Sequence, residues 1–309
     1  MASIRSFGRY LPEHVLTNSE LAAKLGCTAE WIYEASGIEE RRIAKDRSVA
    51  SLAVEAARDC LRRGGASSAD VKLVIVSSAS SEQRFPGPAA SVAKELGLAG
   101  IPALDVPVAS AGSLFALVLA DHLANTYGTV LVAAAEKMSE PALREPLNKN
   151  VAILFGDGAG ACLVAPSGAG LSILNHTLHS DGNFAGDLRL DLGGELRMNG
   201  LTVIMHASRK LPAAIAEVLD AGAVQASDVS MFLMHQANQN LIERVARAIG
   251  VPSSRFFTNI HDYGNTSSAS MLIAASEWHE RHPPACGDLI CFAGFGAGFH
   301  WGALLARQT

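Results

Sequence analysis

The sequence lacks the features that mark several classes of protein. Its 309 residues carry a net charge of −5 with no basic stripe, so nucleic acid is not an expected partner. Its five cysteines are scattered and form no Cys-x-x-Cys pair. This argues against a disulfide framework or a zinc site and predicts a reducing, cytoplasmic compartment without a secretory signal. The longest apolar run, Val106 to Ala120, contains serines and is too short for a membrane span.

What the sequence does contain is an alternation of apolar runs and helical patterns. Leu73–Val76 and Val130–Ala135 are continuous apolar runs, typical of strands buried on both faces. Residues 48–63 carry apolar side chains at helical spacing and end at two glycines, which predicts a helix. Residues 136–150 are charged and contain prolines, so we expect an irregular excursion there.

The same order of elements occurs twice in the chain. Gly64 and Gly222 are 158 residues apart, and the Asp-Val pairs that begin at Asp70 and Asp228 have the same separation. An internal repeat of this kind indicates that the fold is built from a repeated structural unit. The sequence therefore predicts an α/β fold with two pseudo-duplicated halves, residues 1–165 and 166–309, each with a mixed sheet between helices and both sharing one core.

Ser110 lies where a short apolar strand meets an apolar helix, within Leu104–Leu117. Free N–H groups and the helix dipole favour negative charge at such a join, and this suits a nucleophile. Small residues at the join would equally allow a helix to pack closely on a sheet. This stretch alone leaves both interpretations open.

Two further polar residues lie at strand ends in the second half. His235 follows the apolar run Met231–Met234, and Asn265 stands just before a helix. Taken singly, a histidine in such a place is more often structural and an asparagine more often a helix cap. The repeat, however, puts both at ends of elements that face the Ser110 helix.

A glycine-rich loop supplies the remaining groups. Gly296, Ala297 and Gly298 allow close approach of the backbone, and their N–H groups suit an oxyanion site. Together with Ser110, the histidine and the asparagine amide, they form a constellation for acyl transfer.

On these segments the chain resembles the β-ketoacyl-acyl-carrier-protein synthase III family of thiolase-fold condensing enzymes. The resemblance runs nearly end to end, and its most specific segments are His235-Gln236-Ala237-Asn238 and Gly264-Asn265-Thr266-Ser267. The family implies a thiolase-like, five-layered αβαβα fold and an obligate homodimer. It also implies decarboxylative condensation of an acyl thioester with malonyl-acyl-carrier-protein in fatty acid biosynthesis, without metal or redox cofactor. The family triad of Cys, His and Asn carries over to Ser110, His235 and Asn265.

Serine at position 110 departs from the cysteine of the family. A thiol at a helix N-terminus ionises near neutral pH, whereas a hydroxyl needs a base such as His235. Two explanations stay open: a serine native to relatives that load or transfer acyl groups, and a deliberate Cys→Ser change that blocks turnover. An acyltransferase with a serine nucleophile and a non-catalytic partner subunit are therefore alternatives. Retention of both His235 and Asn265 argues against the subunit.

The resemblance also implies contacts with the acyl donor. Family members that use acyl-CoA hold it with a Trp and two Arg. Trp31 is present here, while the two arginine positions are Ala35 and Lys149, so the usual acetyl-CoA preference is in doubt. The other substrate contacts implied by the resemblance are Asn199 and Phe295.

Two kinds of partner follow from the resemblance. An acyl carrier protein docks on an Arg that is Asn240 here, and Arg244 and Arg247 are the substitutes we expect. A second copy of the chain completes the acyl tunnel, because the family loop that corresponds to residues 77–88 carries a Phe into the neighbouring subunit. That residue is Phe85.

Overall fold

The structure, a computed structural model, describes residues 1–309 as thirteen strands and eleven helices. The strands are β1 (Ser3–Tyr10), β2 (His14–Thr17), β3 (Glu40–Ile43), β4 (Leu73–Ser77), β5 (Ala103–Val106), β6 (Val130–Lys137), β7 (Asp157–Ala165), β8 (Leu171–Ser180), β9 (Leu188–Leu190), β10 (Leu196–Met198), β11 (Val229–Met234), β12 (Leu289–Gly296) and β13 (His300–Gln308). The helices are α1 (Asn18–Leu25), α2 (Ala29–Ser36), α3 (Val49–Arg63), α4 (Pro88–Glu95), α5 (Gly112–Tyr127), α6 (Ser139–Ala142), α7 (Lys149–Ala152), α8 (Gly200–Ala221), α9 (Gln239–Ala248), α10 (Ile260–Tyr263) and α11 (Ser270–Arg281).

Nine strands form one mixed sheet in the order β11-β12-β13-β8-β1-β7-β6-β4-β5. Strands β5, β4 and β6 are parallel, as are β11 and β12, and the other neighbours are antiparallel. The first and second halves of the chain meet where Ser3 and Ile4 of β1 pair with Ser172 and Leu171 of β8. Strand β5 is an edge and pairs only with β4.

Successive side chains of the central strands face two different helix layers. In β4, Ile75 packs in the core that includes α5 and α11, whereas Val74 packs in the core that includes α3 and α4. Strand β6 repeats this with Val132 and Leu131. Side chains of a strand point alternately to opposite faces. Because both faces are covered by helices, these strands must be continuously apolar.

The C-terminal strands show the same alternation. Phe292 of β12 faces the core of α5 and α11, and Cys291 faces the core of α8 and α9. Helices α5 and α11 are thus the middle layer, with one part of the sheet on each side and a helix pair outside each part. This is the αβαβα arrangement, and the predicted fold class is confirmed.

The two halves repeat down to single turns. Short 3-10 turns at Ser68–Asp70 and Ala226–Asp228 lie 158 residues apart. In each, the aspartate accepts the N–H of the residue that precedes the turn. Helices α5 and α11 begin at the same separation. The boundary between residues 165 and 166 falls directly after β7, and the division into two domains stays a prediction.

Residues 136–150 differ from the irregular charged excursion that we expected. Strand β6 continues through Lys137, and the short helices α6 and α7 follow. Glu136 is fully buried, because serine hydroxyls and backbone N–H groups satisfy its carboxylate. The sequence pattern also did not predict the two small two-stranded sheets, β2–β3 and the β9–β10 hairpin.

None of the helices combines the length and the hydropathy that a membrane span requires.

Candidate active site

Ser110 lies in the connection between β5 and α5, two residues before the helix begins. It is buried, and its φ of +62° is in the left-handed region. A residue other than glycine is held in this region only when its surroundings impose it, at a cost of roughly 1–3 kcal/mol. The fold therefore fixes the direction of the Ser110 side chain, which lines an internal cavity.

Gly296 is the residue of β12 that packs against this connection. A Cβ atom at Gly296 would overlap the carbonyl oxygen of Ala109 and stand 2.9 Å from the Cβ of Ser110. Only glycine fits here because the two backbones are in direct contact. Of the three residues expected to form the oxyanion site, Gly296 thus reaches Ser110, and it also lines the cavity.

His235 follows β11 directly and is buried. Its Nδ1 lies 2.6 Å from the hydroxyl oxygen of Ser270, the first residue of α11. The N–H of Gln236 donates to the same oxygen at 3.0 Å. Burial lowers the pKa of His235 to about 3, although the backbone of Ser267 acts in the opposite direction. The imidazole is therefore neutral at physiological pH.

Asn265 precedes the 3-10 turn Ser267–Ala269. Its Oδ1 accepts the backbone N–H of Ser267 at 2.8 Å, and its Nδ2 makes one long contact, 3.4 Å, to the carbonyl of Ala237. Because Oδ1 is committed to an N–H donor, the orientation of the amide is fixed. The NH₂ group is the part that remains available to a ligand.

A buried arginine packs against the loop that carries Asn265. Arg41 is fully buried, and burial lowers its pKa to about 10. Its guanidinium donates to two backbone carbonyls and one amide oxygen. An added Cβ at Gly264 would stand 3.0 Å from the carbonyl oxygen of Leu154 and 3.1 Å from the Cβ of Arg41, so a side chain there would require these neighbours to shift. The N–H of Asn265 also donates to the carbonyl of Leu154. The backbone at Asn265 is thus tied to Leu154, with Arg41 of β3 packed beside it.

The backbone N–H of Ser110 has a partner that the sequence did not indicate. It donates to the hydroxyl oxygen of Ser267 at 3.0 Å. A substrate carbonyl oxygen that binds this N–H must therefore take the place of the Ser267 hydroxyl. The next residue, Ser268, donates through both its N–H and its hydroxyl to the buried carboxylate of Glu136. Burial raises the pKa of Glu136 above its usual range, and the hydrogen bonds offset only part of that rise.

Ser110, His235, Asn265, Phe295 and Gly296 line one cavity whose wall is mainly apolar. The apolar part of the wall comes largely from one face of α8 and from the β9–β10 hairpin. Those residues are Leu188, Met198, Gly200, Val203, Ile204, Ala207 and Leu211. An apolar cavity with a few convergent polar groups is the usual form of a small-molecule site.

Only some of the residues predicted to contact the acyl donor lie close to one another. The ammonium of Lys149 stands 4.2 Å from the centre of the Trp31 ring, in reach of a cation–π interaction. Asn199, by contrast, caps α8 and donates to the carboxylate of Asp187. Its side chain lines a neighbouring surface depression and not the cavity of Ser110.

The residues predicted for partner contacts lie on the surface. Arg244 and Arg247 are exposed on α9, and Arg247 is 3.8 Å from Glu243. Asn240 is held by its own contact, since its amide donates to the carbonyl of Glu34. Phe85 is 82% exposed in the loop after β4, as expected of a side chain that needs a partner.

Sequence reasoning missed four parts of the site. Three of them are polar residues that connect Ser110 and His235 to the middle helices: Glu136, Ser267 and Ser270. The fourth is the apolar wall of the cavity that α8 supplies. The run Thr266–Ser270, rich in hydroxyls at the start of a helix, was one available signal. The apolar spacing in α8 was another, although the same spacing is equally typical of a core helix.

Two family models match the chain. "3-Oxoacyl-[acyl-carrier-protein (ACP)] synthase III" matches residues 104–182, and the C-terminal model of the same name matches residues 219–308. The first contains Ser110, and the second contains His235, Asn265 and Gly296.

Curated proteins and solved structures resemble the chain over its full length. Beta-ketoacyl-[acyl-carrier-protein] synthase III of Aquifex aeolicus is 36% identical, and the match covers 97% of this chain and 97% of that protein. The enzyme of the same name from Roseobacter denitrificans is 38% identical, with 99% and 98% covered. The crystal structure of the Aquifex aeolicus 3-oxoacyl-[acyl-carrier-protein] synthase III superposes with a TM-score of 0.95, covering 99% of this chain and 100% of that one.

Proposed function

The chain belongs to the β-ketoacyl-[acyl-carrier-protein] synthase III family, and from that premise we propose how its cavity carries out decarboxylative condensation. The substrates are an acyl thioester and malonyl-acyl-carrier-protein. One observation carries the proposal: a hydroxyl nucleophile, a neutral imidazole and an oriented amide line the same apolar cavity.

The donor half-reaction places the acyl group on residue 110. The Ser110 oxygen attacks the thioester carbonyl, a C–O bond forms, the C–S bond breaks, and the departing thiolate takes up the hydroxyl proton. The carbonyl oxygen would replace the Ser267 hydroxyl at the N–H of Ser110, with the backbone of Gly296 beside it. The position of Ser110 just before α5 supports negative charge there.

The acceptor half-reaction uses His235 and Asn265. The malonyl carboxylate leaves as CO₂, and its bonding electron pair moves into the thioester to form an enolate. Hydrogen bonds from the imidazole and from the Asn265 NH₂ group stabilise the enolate oxygen. The enolate carbon then attacks the acyl group on residue 110. The thioester is its own electron sink, so we propose that the reaction needs no metal or redox cofactor.

We assign the surface residues to partners on the same basis. The Trp31 ring, with the ammonium of Lys149 over it, suits the adenine and phosphates of acyl-CoA, and Arg244 and Arg247 suit an acidic carrier protein. We propose a homodimer joined at the free edge of β5, where Leu104 is 43% exposed, because an unpaired edge accepts another strand. The five free thiols support a reducing compartment, the cytoplasm.

A second function rests on serine at position 110. An acyl-serine is an oxoester and is less reactive toward a carbon nucleophile than a thioester. An acyltransferase or a loading enzyme that passes the acyl group to another acceptor is the alternative that this residue favours. A partner subunit without catalysis would have no use for an oriented Asn265 amide.

Peptide mass spectrometry and a decarboxylation assay test the proposal together. After incubation with acyl-CoA or acyl-carrier-protein, the peptide that contains Ser110 should gain one acyl mass, and a Ser110→Ala variant should gain none. Asn265→Ala should slow malonyl-thioester decarboxylation about 10²–10³-fold. Labelling of Ser110→Cys but not of the serine protein would mean that the serine blocks the donor step. Unchanged decarboxylation in Asn265→Ala would remove Asn265 from the site.

A further inference from the structure

The buried hydroxyl of Ser270 has two hydrogen-bond partners. Both Ser270 and His235 are buried. The backbone N–H of Gln236 donates to the Ser270 oxygen at 3.0 Å, and Nδ1 of His235 lies 2.6 Å from the same oxygen. The structure gives this hydroxyl no other hydrogen-bond partner.

Counting hydrogens determines the direction of the contact between Ser270 and His235. The Gln236 N–H can only donate, so the Ser270 oxygen accepts from it. If Nδ1 also carried a proton and donated, the proton of the Ser270 hydroxyl would be left in a buried site without an acceptor. A buried donor without an acceptor is costly, because it gives up its hydrogen bond to water and gains none in the protein. Of the two possible directions, only donation from the Ser270 hydroxyl to Nδ1 satisfies both that hydroxyl and the Gln236 N–H.

The ring of His235 carries a single proton at physiological pH, because burial lowers the pKa of the imidazole to about 3. If Nδ1 is an acceptor, the one ring proton is on Nε2. The hydrogen bond at one nitrogen thus decides what the other nitrogen can do.

We propose that Ser270 is a positioning residue that keeps the ring proton of His235 on Nε2, so that His235 is a hydrogen-bond donor in the site and not a base. This rests on the proposed function, since it assigns Nε2–H to the thioester oxygen of the malonyl substrate. In that step the C–C bond to the carboxylate breaks, CO₂ leaves, and the electron pair forms the enolate. No proton passes to or from His235.

This tautomer should affect the rates of the two half-reactions differently. To accept the hydroxyl proton of Ser110, Nε2 would first have to lose its own proton, and Nδ1 would have to gain one. That change reverses the contact with Ser270 and leaves its hydroxyl proton without an acceptor. The protonated Nε2 of His235 therefore favours decarboxylation of the malonyl group, and it cannot act as a base that activates the Ser110 hydroxyl. Malonyl decarboxylation should outpace acylation of Ser110.

Two variants separate a positioning role from a packing role. Ser270→Ala removes the hydroxyl, and Ser270→Thr keeps it. Ser276→Ala is the matched control, because Ser276 is equally buried on α11 but accepts from Arg9. The tautomer is read from ¹⁵N chemical shifts of histidine-labelled protein, with the His235 signals assigned by their loss in His235→Gln. Malonyl-thioester decarboxylation is measured on the same samples.

We expect the proton on Nε2 in the unchanged protein, in Ser270→Thr and in Ser276→Ala. In Ser270→Ala we expect a mixture of tautomers and decarboxylation slowed about 10–100-fold, the loss seen when the hydrogen-bond partner of a metal-bound histidine is removed. A proton on Nδ1 in the unchanged protein overturns the proposal, as does a Ser270→Ala protein with unaltered tautomer and rate. If the unchanged protein does not decarboxylate malonyl thioesters at all, the proposed function fails, and the ¹⁵N shifts still decide the role of Ser270.

Discussion

The hydroxyl oxygen of Ser267 accepts the backbone N–H of Ser110 at 3.0 Å, across 157 positions of sequence. Both residues have a positive φ, +62° for Ser110 and +48° for Ser267. The contact joins the start of α5 to the turn before α11, the two helices of the middle layer. It also occupies the N–H group that a substrate oxygen would need.

Replacing Ser267 by alanine should therefore strengthen binding of a ketone analogue of the acyl thioester. The analogue oxygen would no longer have to displace a hydroxyl whose hydrogen bond contributes about 0.5–1.5 kcal/mol. We expect the dissociation constant, measured by calorimetry, to fall about 3–10-fold. Ser276→Ala serves as the control and should leave it unchanged. Weaker binding in Ser267→Ala would show that the hydroxyl assists the ligand and does not compete with it.

Gly296→Ala should disable the site without a change in its chemical groups. The new Cβ would overlap the carbonyl oxygen of Ala109 and press on Ser110. A displacement of this kind at a reacting group costs about 100-fold in rate, and we expect at least that loss in condensation. Gly182→Ala is the control, because a Cβ there meets nothing within 4 Å. Equal activity in the two variants would contradict the close contact.

The buried carboxylate of Glu136 should be required for stability. Its two oxygens accept from Ser78, Ala79, Ser80 and Ser268. In Glu136→Gln, an NH₂ group would face groups that are themselves donors. We expect the free energy of unfolding to fall by about 2–4 kcal/mol in urea titrations. Glu13→Gln, at an exposed glutamate, is the control and should change the free energy of unfolding by less than about 0.5 kcal/mol. Equal stability of the two variants would mean that Glu136 is already protonated.

The sequence alone predicted the groups whose environment is local. Ser110, His235 and Asn265 each stand at the end of an apolar run or the start of a helix, and such ends show in the order of residues. The alternation of Val74 and Ile75 between two cores follows from apolar runs in the same way. These are properties of a segment and its immediate neighbours.

The groups that were missed depend on how the two halves pack. Nothing in the sequence near Glu136 indicates that Ser268, 132 positions away, will satisfy its charge. The capping role of Asn199 similarly depends on Asp187 across the β9–β10 hairpin. Contacts of this kind become visible only when α5 and α11 lie side by side.

The stability of the protein should depend on pH through His235. Its pKa is about 3 in the folded chain, against an ordinary 6.5. Between those values the unfolded chain binds a proton that the folded chain does not, so stability falls as pH falls from 6.5 toward 3. By pH 5 this amounts to about 2 kcal/mol. Urea unfolding at pH 7 and pH 5 should show a smaller loss for His235→Gln than for the unchanged protein. Equal losses would contradict a neutral, buried imidazole.

Phe85 should act on the chain length of the acyl donor and not on assembly. It is 82% exposed in a loop next to the edge of the sheet, and a large exposed ring there needs a partner. If a second copy joins at β5, the ring enters the neighbour's acyl cavity, and Phe85→Ala should enlarge that cavity. We expect longer acyl-CoA donors to be accepted.

The dimer itself should persist in Phe85→Ala, because one side chain at the rim is small against an interface of about 2,000 Å² or more. Sedimentation at micromolar concentration and a series of acyl-CoA donors of increasing length measure the two effects separately. Leu201→Ala, at a residue that is 72% exposed on α8, is the control for loss of an exposed apolar side chain. A monomer in the unchanged protein would exclude the shared cavity. An unaltered chain-length profile in a dimeric Phe85→Ala would place the ring outside the neighbour's cavity, because removal of a side chain that closes a tunnel must change what the tunnel admits.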